Sequence, residues 1–234
     1  MRPRSSLRRE APSRRSAETG LRAVQSAGSG SATHARPVVV ELERAGGRRR
    51  APTRSPHRSD AITDYGFLSD CRSAGLVSRT GSVDWLCWPR FDSPSLFAKV
   101  LDRDKGGAFA INPTARYSVE RRYAPATNVL QTTFRTATGT ARLTDWLNTG
   151  ARQALCRLVE CLEGRVELRV ACDPRPRYGA VGNPGWERSL GYLVCAVSDD
   201  DRVILDGLSS SHETFTLEAG GSRSITLEGV SSSV

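Results

Sequence analysis

From Ile62 onward, short runs of β-branched and aromatic residues are interrupted by turn signals carrying Gly or Asp, and no other feature narrows the fold as much. Ser73–Arg79 and Val83–Trp88 flank Thr80-Gly81-Ser82, and Val129–Thr136 and Thr140–Leu147 flank Thr138-Gly139. Ala154–Leu162 and Val166–Cys172 flank Glu163-Gly164. Tyr192–Ser198 and Arg202–Leu208 flank Asp199-Asp200-Asp201, and Thr214–Glu218 and Ser224–Glu228 flank Gly220-Gly221. Short Gly turns between strand-forming runs are hairpin signals, so the series predicts an all-β fold, an antiparallel β-sandwich of serial hairpins. Alternation supports it locally, since Val166, Leu168 and Val170 alternate with Glu167, Arg169 and Ala171. One short helix is expected near 94–101. Ser93 can cap it, Pro94 suits its first position, and Leu96, Phe97, Val100 and Leu101 form one apolar stripe.

The first 58 residues follow a different rule. They hold fourteen Arg against Glu10, Glu18, Glu41 and Glu43, a balance of +10, and no aromatic residue. The whole chain carries +9, so residues 59–234 carry −1. A segment without aromatics or periodicity cannot bury enough apolar area to offset the entropy of ordering it. The expectation is a disordered Arg/Ser-rich tail over 1–58 and a β-sandwich domain over 59–234, with Pro37–Leu42 as the tail's one strand-like run. Because the charge sits in the tail, a folded nucleic-acid module is disfavoured, although Arg48-Arg49-Arg50 can attract polyanions. The longest charge-free apolar stretch beyond the tail, Gly191–Ser198, falls far short of the ~20 residues that span a bilayer. No membrane partner is expected. The Arg-rich start lacks a secretory apolar core, so a cytoplasmic protein is expected, with an organellar transit peptide as the alternative.

Six cysteines (Cys71, Cys87, Cys156, Cys161, Cys172, Cys195) form no Cys-x-x-Cys pair, and three histidines (His34, His57, His212) are scattered. Neither a metal site nor a cofactor is expected, and the cysteines read as buried reduced thiols acting as small hydrophobes. The densest chemical cluster is Asp84-Trp85-Leu86-Cys87-Trp88-Pro89-Arg90-Phe91-Asp92-Ser93-Pro94. Indole faces stack on sugar rings while carboxylate and guanidinium bind hydroxyls, so a sugar site is one interpretation. The other is structural, with indoles filling the sandwich and Arg90 pairing with a nearby acid. Strand alternation sends Trp85 and Trp88 to opposite faces, so one needs a second layer, either the expected helix or a partner. An exposed apolar patch at Trp85, Trp88 and Phe91, rimmed by Arg90 and Asp92, is the expectation.

Those residues also carry a resemblance. Asp64-Tyr65-Gly66-Phe67-Leu68-Ser69-Asp70-Cys71-Arg72-Ser73-Ala74, followed by Gly81 to Pro94, resembles the opening of bacterial glycoside hydrolase family 15 proteins, the trehalase- and glucoamylase-like enzymes. The similarity continues through Arg121-Arg122-Tyr123, Thr127-Asn128-Val129-Leu130, Leu143-Thr144-Asp145-Trp146, Leu158-Val159-Glu160 and Asp173-Pro174-Arg175-Pro176-Arg177-Tyr178-Gly179, spanning about residues 60–230. Cys161 and Asn148 depart from residues common in the family.

The resemblance implies the N-terminal β-sandwich of an inverting α-glucoside hydrolase. In that family, a separate (α/α)6 barrel, in cis or encoded downstream, carries the catalytic acid and base. It further implies a chain truncated before its barrel, with no catalytic residue of its own, that meets an α-glucoside only beside that partner. Trp85, Trp88, Arg90, Phe91 and Asp92 are then the substrate- or barrel-facing residues. The alternative is a stand-alone carbohydrate-binding or protein-interaction sandwich.

Overall fold

The computed structural model describes residues 38–40, 61–150 and 152–231. The tail expectation for residues 1–58 lies outside the described residues, apart from the backbone of Val38–Val40. In chain order the strands are β1 (Val38–Val40), β2 (Gly66–Ser69), β3 (Ala74–Val77), β4 (Ser82–Cys87) and β5 (Ser95–Phe97). There follow β6 (Ala108–Pro113), β7 (Tyr117–Tyr123), β8 (Leu130–Thr136), β9 (Gly139–Leu147) and β10 (Ala154–Asp173). The last are β11 (Glu187–Ser189), β12 (Tyr192–Ala196), β13 (Asp201–Asp206), β14 (His212–Glu218) and β15 (Ser222–Ser231). All their pairings are antiparallel.

One layer runs β1-β7-β8-β9-β10-β15-β13-β12-β11. In the other, β2 pairs with β3, β3 with β4, and β4 with both β5 and β6, while β6 and β14 flank β10. β10 belongs to both. Ala154–Glu160 lie between β9 and β15, and Leu168–Ala171 lie between β6 and β14. The two layers press together through period-two burial, as in β9, where Ala141, Leu143, Asp145 and Leu147 are buried and Arg142, Thr144 and Trp146 only partly so. Phe97, Phe109 and Ile111 from one layer share a core with Phe134, Leu143 and Leu155 from the other.

Three of the five expected hairpins form: β3–β4, β8–β9 and β12–β13. The other two do not. Glu163-Gly164 is a bend inside β10, with a register shift against β9 between Cys161 and Glu163, so the strand turns from one layer into the other instead of reversing. β14 and β15 do not pair with each other, because each follows one half of β10. Their Gly220-Gly221 corner wraps the bend, where Ala219 N–H donates to Gly164 O and Gly220 N–H to Cys161 O, each at 2.8 Å.

The helix expected near 94–101 is absent. Ser95, Leu96 and Phe97 are all buried, which an amphipathic helix cannot arrange at consecutive positions but a strand between neighbours can. Leu86 pairs with Phe97 and Cys87 with Ser95, while Arg175 and Arg177 N–H donate to Leu96 O and Ser95 O. The chain then turns, leaving Leu101 exposed. The only helical turn among the described residues is the 3-10 segment Ile62–Asp64. No helix among them is long and apolar enough to cross a membrane.

Cys87, Cys161, Cys172 and Cys195 are buried and unpaired, as small hydrophobes. Burial, with Asp173 adding to it, pushes the Cys195 thiol up to about 12. Cys71 is exposed, against expectation.

The motif residues Arg121 and Tyr123 prove to be fasteners. Arg121 donates to Val77 O and Asp64 O, at 2.8 and 2.7 Å. Tyr123 Oη accepts from Phe67 N–H at 2.7 Å and donates to Phe67 O at 2.9 Å, closing the outward groups of edge strand β2. Tyr123→Phe is expected to cost about 1 kcal/mol. The lowered Tm should come with more light scattering from the opened edge, and an unchanged melt and scatter would refute the fastening role.

Candidate functional site

The cluster singled out in the sequence forms a corner where β4 ends. The chain passes through a cis Trp88–Pro89 peptide into a tight turn, with Ser93 N–H on Arg90 O at 3.2 Å and Arg90 N–H on Ser93 Oγ at 3.1 Å. Beside it lies the turn after β2. There Asp70 Oδ1 accepts from Arg72 N–H at 2.9 Å and Ser73 N–H at 2.6 Å. Phe91 N–H donates to Arg72 O at 2.9 Å, joining the two turns. Gln153 clamps both, donating to Asp70 Oδ2 at 3.0 Å and to Pro89 O at 2.8 Å.

The structure separates the five expected site residues. Trp85 packs on Tyr178 with ring centroids 6.0 Å apart, so a tyrosine supplies the cover assigned to the helix. Trp88 is half-buried against the core, and any side chain at Gly229 would begin 3.4 Å from its indole. Its Nε1 is buried with no hydrogen-bond partner. Phe91 is 54% exposed. Arg90 and Asp92 are exposed and pair with each other at 3.0 Å. Arg90, Phe91 and Asp92 line a recess of about 570 Å³ with Cys71, Arg72, Pro89 and Gln153. Trp88 instead lines an adjoining cleft of about 720 Å³, and Arg72, Pro89 and Gln153 border both.

Electrostatics assigns roles to the acids. The hydrogen bond and charge of Arg90 hold the Asp92 carboxyl below the usual carboxylate range. Burial raises Asp70, but hydrogen bonds from Ser73, Arg72 and Gln153 outweigh it and leave its carboxyl below the ordinary value. Both are ionised at neutral pH and serve as acceptors, not as proton donors. Asp84 is a core acid, bound by Tyr65 Oη at 3.0 Å, Ser82 Oγ at 2.5 Å and Lys99 Nζ at 3.4 Å. Among the described residues, no three His, Cys, Asp or Glu side chains converge to hold a metal ion.

Sequence reasoning missed Gln153, which lies 83 residues from Asp70 and has no local pattern to mark it. It also missed Arg72, Arg177 and Tyr178 as site residues. Arg177 and Tyr178 carry left-handed φ of 56° and 62°, which nothing in composition announces.

The trehalase-like N-terminal family matches residues 48–200. The chain is similar to the trehalase of Mycolicibacterium smegmatis, at 40% identity over 152 residues, covering 55% of this chain and 22% of that protein. It is 37% identical to the trehalase of Mycobacterium tuberculosis over 163 residues, covering 59% and 23%. With a trehalase of Thermoplasma volcanium it shares 34% identity over 126 residues, covering 50% and 20%. The chain therefore spans about a fifth of the length of these relatives. No solved structure matches it.

Proposed function

Because the chain belongs to the trehalase-like N-terminal family, we propose that it is the supporting β-sandwich of an inverting α-glucoside hydrolase, of the trehalase and glucoamylase kind in glycoside hydrolase family 15. The observation that carries this is the family match together with relatives that are trehalases. In this reading the catalytic pair belongs to a partner (α/α)6 barrel, and the corner of Trp85, Trp88, Arg90, Phe91 and Asp92 faces that barrel or its sugar. The sandwich works in the cytoplasm, which suits six unpaired cysteines.

The chemistry supports this division of labour. Inverting hydrolysis needs two carboxyls about 6.5–9.5 Å apart across the scissile bond, one of them protonated. At the corner, Asp70 and Asp92 are held ionised. Asp145, whose carboxyl burial raises, is fully enclosed and out of a substrate's reach. The 234 residues alone are therefore expected to turn over neither trehalose nor maltooligosaccharides.

The test has two arms. Purified chain is assayed for glucose release, and turnover that vanishes on mutating one of its own Glu or Asp residues would overturn the proposal. Binding of maltooligosaccharide without hydrolysis would instead favour a stand-alone sugar-binding module. In the second arm the chain replaces the matched fifth of the Mycolicibacterium smegmatis trehalase. The chimera is expected to hydrolyse trehalose, and Arg90→Ala to lower kcat/KM about tenfold, the size of one lost charge-assisted contact. Unchanged turnover in Arg90→Ala would make the corner purely structural.

A further inference from the structure

The larger cleft beside the corner shares Trp88 with it, but carries further apolar wall and charge that the function proposed above does not use. Its walls are apolar, built from the partly exposed face of Trp88 with Leu96, Ile204 and Val230. Its charged lining is mostly satisfied. Arg152 pairs with Glu228 at 3.4 Å, Arg202 donates to the carbonyls of Ser198, Asp199 and Asp201, and Ser198 Oγ donates to Asp201. Arg72 and Arg177 remain. Both are exposed on the cleft, and neither guanidinium has a partner among the described residues.

Arg177 is also placed at a cost. It and Tyr178 occupy the left-handed region without being glycine, a conformation that persists only where surroundings enforce it. Ser95 enforces it, its carbonyl accepting Arg177 N–H and its hydroxyl accepting Tyr178 N–H, each at 3.0 Å. The third contribution is topological. β15 (Ser222–Ser231), from the layer opposite Ser95 and Leu96, supplies Glu228, Gly229 and Val230 to the wall, so both layers build the cleft.

We propose that this cleft is the seat of the catalytic domain, receiving an apolar segment of that domain whose carboxylate is bound by Arg72 and Arg177. The inference rests on the function proposed above. Two unpaired guanidiniums over apolar walls complement a carboxylate on an apolar segment, and an Arg and Trp set around a desolvated centre is how protein interfaces are anchored. A free sugar uses neither the surplus positive charge nor the length of the apolar wall.

Arginine-specific labelling with phenylglyoxal, located by mass spectrometry, tests it on the chain alone and on the chimera with the Mycolicibacterium smegmatis trehalase. Arg72 and Arg177 should be modified in the chain alone and protected in the chimera, while Arg169, exposed on β10 and lining neither recess, is modified in both. Equal modification of Arg72 and Arg177 in the two samples overturns the proposal. Arg72→Glu/Arg177→Glu should leave the melting of the chain alone unchanged, since neither side chain has a partner there. The same change should split the chimera's melt into two transitions, and a single unshifted transition counts against docking. Trehalose hydrolysis without protection removes this inference and keeps the function proposed above, and protection without hydrolysis does the reverse. Should the chimera fail to fold, the labelling is read on the chain co-expressed with the relative's remaining four-fifths, where full modification again overturns it.

Discussion

Replacing Arg157 with Leu is expected to destabilise the domain by about 3–5 kcal/mol, because it leaves a buried carboxylate without its cation. The side chain is fully buried, and so is that of Asp145. Arg157 Nε donates to Asp145 Oδ1 at 2.8 Å. Its other donors cross to the facing layer, to Phe109 O at 2.5 Å and Gly81 O at 2.6 Å, with the guanidinium 4.6 Å from the centre of the Phe109 ring. One side chain on β10 therefore ties β9 to the opposite layer. Burial already pushes the Asp145 carboxyl up against the pull of Arg157. Without Arg157 only burial remains, and it pushes the Asp145 carboxyl of the folded variant higher still. Its folded pKa then lies further above the unfolded value of about 3.9, so the associated stability is complete below that pH and is lost as pH rises towards the folded pKa. The Tm deficit of Arg157→Leu relative to the parent should be largest near pH 7 and shrink towards pH 4. Arg157→Leu/Asp145→Leu should recover much of the stability and lose that pH dependence. A deficit equal at both pH values would mean that packing, and not the orphaned charge, is what the substitution removes.

This ion pair also marks where local pattern stops informing. Leu143-Thr144-Asp145-Trp146 and Leu155-Cys156-Arg157-Leu158 each alternate as strands should, and the two strands were legible. That the inward positions hold an acid and a base, 12 residues apart and facing each other, depends on the register of β9 against β10, which alternation alone leaves open. The helix failed for a related reason. Leu96, Phe97, Val100 and Leu101 fit a helical stripe, but Ser95–Phe97 is claimed by Leu86, Cys87 and the backbone of Arg175 and Arg177, and tertiary pairing outranks a short stripe. At the corner, exposure of Phe91, Arg90 and Asp92 was legible from a dense polar-aromatic run after a strand. The division of Trp88 and Phe91 between two recesses was not, since it is set by Gln153 and Arg72 from distant turns.

Gly164→Val is expected to cost about 3 kcal/mol or more, from left-handed strain and a clash that the backbone cannot relieve. Gly164 has φ +65°, and a Cβ there would sit 2.2 Å from Thr138 O and 3.0 Å from Gly139 Cα. Those atoms are the β8–β9 turn, itself fixed to the bend by Arg165 N–H on Thr138 O at 2.9 Å. A glycine at positive φ between two strand-like runs satisfies a hairpin and a bulged bend equally, which is why Glu163-Gly164 signals a break in β10 without giving its direction. The direction comes from elsewhere. The β14–β15 corner lays its own N–H groups on Gly164 O and Cys161 O, and those bonds exist only if β10 continues into the second layer. Strain at Gly164 thus acts on both halves of β10 and on the corner that follows them. Gly220→Val is the matched control. It shares the positive φ, at +81°, but a Cβ there meets nothing within 4 Å, so it carries the backbone strain alone, about 1–2 kcal/mol. Thermal melts of the two variants decide the matter. If Gly164→Val melts no lower than Gly220→Val, the close approach to the β8–β9 turn is not what holds the bend, and one strand can serve two layers without it.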